Sequence, residues 1–265
     1  ASNPARTDHR VVNVAKGASG RSKTGSYQTE NATVMLMRLR LAPVLAALYP
    51  LAALLGQLLL ALLAGLITAR LAAPWLGWLV ATLAAALLAW VILDWFRRHD
   101  HRIYAYYLMH DYAFTAQEKG AYPATLEARL AQFTAHIRAA MDEGPDEVLI
   151  VGHSSGAYLA VSALADLIRA GRLRAGGPAL ALMTLGHVVP MAAFLPRASR
   201  LRRDLAFLAE QEGIFWLDVS APGDACCFGL CDPVAVTGVA GPGQRWPLVI
   251  SAAFTKTLSA QQLRD

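Results

Sequence analysis

Two uncharged apolar runs limit what this chain can fold into more than any other feature. Residues 51–69 are Leu, Ala, Gly and Ile broken only by Gln57 and Thr68, and residues 75–93 hold no charged side chain. A helix of about 20 apolar residues crosses a hydrocarbon core of about 30 Å, so each run is long enough to be a membrane span. Trp75, Trp78 and Trp90 stand near the ends of the second run, as in an interfacial aromatic belt. Only Arg70-Leu-Ala-Ala-Pro74 separates the runs, which predicts a tight antiparallel transmembrane hairpin over 41–96. A buried helical pair in a soluble core is the alternative. A secretory signal fits less well, because the apolar stretch starts late and exceeds the length of a signal core. These runs carry most of the excess in a chain whose hydrophobic fraction is 55%.

Charge orients the hairpin. Residues 1–40 hold seven basic side chains (Arg6, Arg10, Lys16, Arg21, Lys23, Arg38, Arg40) against Asp8 and Glu30, an excess equal to the +5 of the whole chain. Beyond residue 40 the basic and acidic residues cancel. The positive balance therefore belongs to an N-terminal arm, and no nucleic-acid surface is expected on the remainder. The Ser, Thr, Asn, Gly and Lys content of residues 1–33 predicts that the basic arm over 1–40 is flexible. Arg38 and Arg40 precede the first run, Arg97, Arg98 and Arg102 follow the second, and the connector has Arg70 alone. Cytoplasmic flanks are enriched in Lys and Arg, so both termini and the following domain are expected in the cytoplasm. With no charge inside either run, a transport pathway is not indicated.

Past the runs the pattern alternates. Residues 103–109 alternate and carry aromatics, which predicts a strand. Residues 124–141 place Leu126, Leu130, Phe133, Ile137 and Met141 at helical steps. Strand patterns at 148–151, 179–185 and 214–219 are interleaved with helical patterns at 157–168 and 201–211. Strands alternating with helices predict an α/β domain over 97–265, with a mainly parallel sheet and flanking helices.

Between the strand at 148–151 and the helix at 157–168 lies Gly152-His153-Ser154-Ser155-Gly156. A G-x-S-x-G turn in this context forms a nucleophile elbow, in which a strained bend thrusts the central serine outward. Glycines on either side remove Cβ atoms that would collide as strand and helix close up. The plainer alternative is a strand-to-helix turn whose serines cap the helix. On these residues, with Ala157 following, the chain resembles the α/β-hydrolase superfamily and within it the lipase/esterase-like members. The resemblance covers about residues 104–251. It implies a central sheet, Ser154 as nucleophile, the Ser155 N–H as one oxyanion donor, and a carboxylic ester or thioester as substrate. Beside a membrane hairpin, a lipid-derived acyl ester and the bilayer itself become the expected partners.

A serine hydroxyl needs a base, usually a histidine oriented by a carboxylate. The resemblance implies the order Ser, acid, His. Asp224, seventy residues past Ser154 in a Pro-Gly-Asp turn, fits the acid. Asp232 is an alternative, and Asp218 a third whose mid-strand side chain is expected to point into the sheet. All seven histidines lie at or before position 187, ahead of Asp224 and the other acids. His187 and His110 are the internal choices for the base or the pocket lining. The favoured alternative is a base beyond Asp265, in a chain that is a piece of a longer protein. The second oxyanion donor is expected in a loop at 110–114. Cys226, Cys227 and Cys231 match no metal-ligand spacing and read as small buried apolar residues. No phosphate-binding loop, dinucleotide fingerprint or H-E-x-x-H pair occurs, so neither a cofactor nor a metal is expected. The competing functional reading is a non-catalytic membrane protein that keeps a degenerate hydrolase scaffold as an interaction module.

Overall fold

The computed structural model describes residues 41–171, 176–253, 259 and 261–262; the basic arm expected over 1–40 lies outside them. A short helix α1 (Leu41–Ala47) leads into α2 (Tyr49–Arg98). Pro50 sits in the first turn of α2, where its missing N–H leaves no intrahelical bond unmade. Together they form one helix, Leu41–Arg98, long and apolar enough to cross a membrane.

This differs from the two separate helices expected. The connector 70–74 is itself helical, and the backbone leaves helical values only at Gly77, at φ 76° and ψ 156°. Pro74 stands inside the assigned helix and removes a donor from its ladder. Gly77 then takes a backbone conformation that side chains with a Cβ rarely adopt. Contacts join the two sides of this break. A Cβ added at Gly65 would stand 3.1 Å from the Ala85 carbonyl oxygen. Tyr49 donates its hydroxyl to the Ile103 carbonyl at 2.7 Å. In a straight helix rising about 1.5 Å per residue, Gly65 and Ala85 would be about 30 Å apart. The buried positions of α2 include Ala61, Gly65, Ala81 and Ala85, small residues of the type that lets helices approach closely. Most of its Leu and Trp side chains are exposed.

After a 3₁₀ turn (Asp100–Arg102) comes α3 (Ala105–Gln117), which replaces the strand expected at 103–109. The reason is a cap. Both oxygens of Asp100 accept first-turn N–H groups, from Tyr106 and Tyr107, each at 2.9 Å. A carboxylate at this end also complements the helix dipole. Alternating aromatics carry no information about such a cap, so the strand reading failed there.

The remaining elements are α4 (Ala124–Asp142), β1 (Glu147–His153), α5 (Ser155–Arg169), β2 (Ala179–Leu185), α6 (Val189–Ala193), α7 (Ser199–Ala209), β3 (Phe215–Ser220), α8 (Pro233–Val236) and β4 (Leu248–Ser251). The strands form one parallel sheet in the order β1-β2-β3-β4. When parallel strands add in chain order, right-handed crossovers place successive connections on the same side. Accordingly Val161, Leu164 and Leu167 of α5 and Leu201, Leu205 and Leu208 of α7 pack with Leu180, Leu182 and Trp216 in one core. Burying each of these leucines contributes roughly 1.5–3 kcal/mol. A buried carboxylate clamps the two helices, as Asp204 accepts from Arg169 at 2.6 Å and Arg200 at 2.7 Å. The opposite sheet face is apolar and open: Leu149, Val151, Phe215, Leu248 and Ile250 are 43–54% exposed. Parallel sheets are ordinarily covered on both faces, so this domain is a half-covered sheet among the described residues.

Candidate active site

The elbow forms at the carboxyl end of β1. Ser154 lies between the last strand residue, His153, and the first helical residue, Ser155, at φ 54° and ψ −121°. A non-glycine residue at positive φ outside the left-handed helical well stores on the order of 1–3 kcal/mol of strain. Neighbours hold it there. The Ser154 N–H donates to the Leu185 carbonyl of β2 at 3.0 Å, and its own carbonyl accepts from Ala157 at 3.1 Å. Gly152 is sterically required, because a Cβ there would stand 2.7 Å from the Gly156 carbonyl oxygen and 2.8 Å from the Ala157 Cα. Gly156 is not: a Cβ on it would meet nothing within 4 Å. Of the two flanking glycines, only the first answers to the crowding expected of both. Ser154 is half-buried.

Ser155 opens α5, so its N–H is one of the first-turn donors a helix leaves without an internal acceptor. Its hydroxyl donates to Asp111 of α3 at 2.8 Å. Asp111 was not singled out from sequence, although it adjoins His110. A helical reading of 105–117 would have set it on the face shared with Leu108 and Thr115. Thr115 in turn lies 3.4 Å from the hydroxyl of Tyr158 in α5. Burial pushes the Tyr112 hydroxyl up, with Cys226 and Asp111 adding to the effect. Helix α3 thus reaches both the elbow helix and the loop after β3. Residues 110–114 are part of α3, not the loop expected to carry a second oxyanion donor. In a continuous helix their N–H groups are committed to the carbonyls four residues back. His110 is exposed on that helix.

Asp224 sits in the loop after β3. Its Oδ1 accepts from the Cys226 N–H at 2.8 Å. Its Oδ2 stands 3.7 Å from the point a Cβ on Gly186 would occupy. Gly186 follows Leu185, the residue that accepts the Ser154 N–H. Asp224 is therefore exposed at the same sheet edge, over the strand next to the elbow. Asp232 does different work: it caps α8, accepting from Val234 and Ala235, and its other oxygen accepts from Gln244. Among the cysteines only Cys227 is buried; Cys226 is exposed and Cys231 half-buried.

Asp218 and His187 are both fully buried. The His187 Nδ1 accepts from the Val189 N–H at 3.3 Å, so its Nε2 carries the proton and donates to the Cys231 carbonyl at 3.0 Å. With both ring nitrogens held by backbone, His187 anchors the loop that contains Asp224 and is not placed to receive a proton from Ser154. Asp218 lies 3.6 Å from His187 Nε2. Its Oδ1 accepts from the Thr184 hydroxyl at 2.5 Å, which itself accepts from the Trp216 indole at 3.1 Å. Its Oδ2 has no hydrogen-bond partner among the described residues. The mid-strand inward orientation expected for Asp218 is the one found.

Burial pushes the Asp218 carboxyl above its ordinary range, opposed by His187 and by the Thr184 hydrogen bond. The folded chain then holds more protons than the unfolded chain between the ordinary and the raised value. Stability should fall as pH rises through that window. Denaturant midpoints in detergent, compared across pH for wild type and Asp218→Asn, should show a smaller loss toward neutral pH in the variant. Parallel curves would refute this assignment.

No family model, curated protein or solved structure matches this chain.

Proposed function

We propose that this chain belongs to a membrane-anchored serine hydrolase that cleaves a carboxylic ester or thioester, as the lipase/esterase-like resemblance suggests. The observation that carries the reading is Ser154 at φ 54° and ψ −121° between a parallel strand and a helix. Such strain persists only where surrounding structure enforces it, and it concentrates at sites of function. Ser154 Oγ attacks the carbonyl carbon, and the tetrahedral oxyanion is stabilised by the first-turn Ser155 N–H at the start of α5. Asp224 orients the imidazole that takes the serine proton and returns it to the leaving group. His187, with both ring nitrogens engaged by backbone, is not that imidazole. The test is labelling of the full-length protein by a fluorophosphonate probe, with loss in Ser154→Ala. Absence of labelling in folded protein would remove the enzymatic claim.

The membrane half of the reading is a hairpin of two spans with its break at Gly77 and with both ends cytoplasmic. A straight helix of 50 residues would be about 75 Å long, against a hydrocarbon core of about 30 Å. The Gly65–Ala85 and Tyr49–Ile103 contacts support a fold-back. The arginines at 38, 40, 97, 98 and 102 support the orientation. A cysteine placed at Gly77 should react with a membrane-impermeant maleimide added to intact cells. The exposed native Cys226 should react only after permeabilisation. The reverse pattern would invert the topology.

A second reading, a non-catalytic scaffold, is favoured by one observation: both nitrogens of His187 are held by backbone groups. A full-length protein that folds, resists the probe and still binds a partner through this domain would establish it.

A further inference from the structure

We infer that the outward face of α3 is a docking surface for the headgroup region of the bilayer that holds α2. This holds the elbow beside acyl esters of the same leaflet, and it rests on the membrane-hydrolase reading above. Two adjoining strips of α3 carry the inference, since Asp111 lies four residues after Tyr107 and three before Phe114. The inner strip bears Asp111 and Thr115, which bond Ser155 and approach Tyr158 of the elbow helix. The outer strip bears Tyr107, His110 and Phe114, at positions three and seven residues apart and therefore on one side of the helix. Tyr107 is 65% exposed and Phe114 41%, with Tyr104 at 54% just ahead of the helix.

The occupant follows from where α3 begins. Only residues 99–104 separate it from the end of the apolar helix α2, so α3 starts at the level where that helix leaves the hydrocarbon. Aromatic side chains with a polar atom concentrate at this depth. Exposed Arg97, Arg98 and Arg102 flank the junction, and cationic side chains there favour an anionic headgroup layer. A helix lying in the interface presents aromatic side chains to lipid, and the exposed strip of α3 supplies Tyr107 and Phe114. A helix with side chains is about 10–12 Å across. Because Asp111, which bonds Ser155, adjoins Tyr107 and Phe114 on α3, the elbow stands within about one helix diameter of the lipid. A substrate in this position is an acyl ester whose chain stays in the membrane while its carbonyl reaches the headgroup level.

The test uses full-length protein in vesicles of phosphatidylcholine and phosphatidylglycerol, with nitroxide labels at Tyr107→Cys or Phe114→Cys in a Cys226→Ser background. Both labels should collide more with oxygen than with a water-soluble nickel chelate. A label at Arg203→Cys, exposed on α7, should show the opposite. Nickel-dominated collisions at positions 107 and 114 would overturn the docking surface, whether or not Ser154 reacts with the fluorophosphonate. A lipid-like profile in a protein that never labels would leave the surface standing and remove the hydrolase. A Tyr107→Ser, Phe114→Ser variant should lose about tenfold in hydrolysis of a long-chain ester embedded in vesicles and keep its rate on a short soluble ester. Equal losses on both esters would count against delivery from the membrane.

Discussion

Gly152→Ala should unfold the domain or leave it severely weakened, while Gly156→Ala four residues later should be harmless. The alanine Cβ at 152 would lie 2.7 Å from one backbone atom and 2.8 Å from another. Neither belongs to a flexible side chain, so relief requires the start of α5 to move away from β1. Overpacking of this kind typically costs 1–3 kcal/mol, and rigid backbone on two sides puts the expected loss at about 3 kcal/mol or more. That is a large share of the roughly 5–15 kcal/mol that holds a domain together. At Gly156 a Cβ finds open space within a helix, where alanine is favoured over glycine by about 0.8–1 kcal/mol. Denaturant midpoints in detergent should therefore move in opposite directions for the two substitutions. If both fell equally, the elbow would not be packed as described.

The second large effect separates strain from chemistry at Ser154. Ser154→Ala and Ser154→Gly should both abolish covalent labelling by the fluorophosphonate, and turnover should fall by at least about 10³-fold. Only the glycine variant removes the Cβ that makes φ 54°, ψ −121° costly. Relief of roughly 1–3 kcal/mol of strain is offset by about 0.5–1 kcal/mol for the added freedom of glycine in the unfolded chain. A net gain of about 1 kcal/mol is expected for Ser154→Gly, and little change for Ser154→Ala. A thermal or denaturant midpoint measured on both variants decides it. If glycine does not stabilise, the bend is not strained, and the main physical support for a nucleophile at this position is lost.

Both predictions concern a turn that was legible before any coordinates. Five residues between an aliphatic strand and a long helix define it, and local rules of chirality and sterics act within that window. The strands at 148–151, 179–185 and 214–219 were legible for the same reason, since each pairs a short apolar run with a clear boundary. Long-range facts were not. Asp111 was hidden because its partner, Ser155, is 44 residues away, and because one capping carboxylate, Asp100, turned an apparent strand into α3. His187 read as a base or a pocket residue. Its two nitrogens are instead held by Val189 and by Cys231, 44 residues downstream. Asp232 read as an alternative acid, and its oxygens cap α8 and hold Gln244.

Composition and local pattern thus established an apolar helical segment, an alternating α/β domain and a serine at a cramped strand-to-helix bend. Each depends on interactions within a few residues or on summed hydrophobicity. Tertiary structure decided where the apolar helix breaks, which sheet face is covered, and that α3, just after α2, bonds the elbow helix. Those outcomes depend on contacts between residues far apart in the chain, whose energies no local window contains.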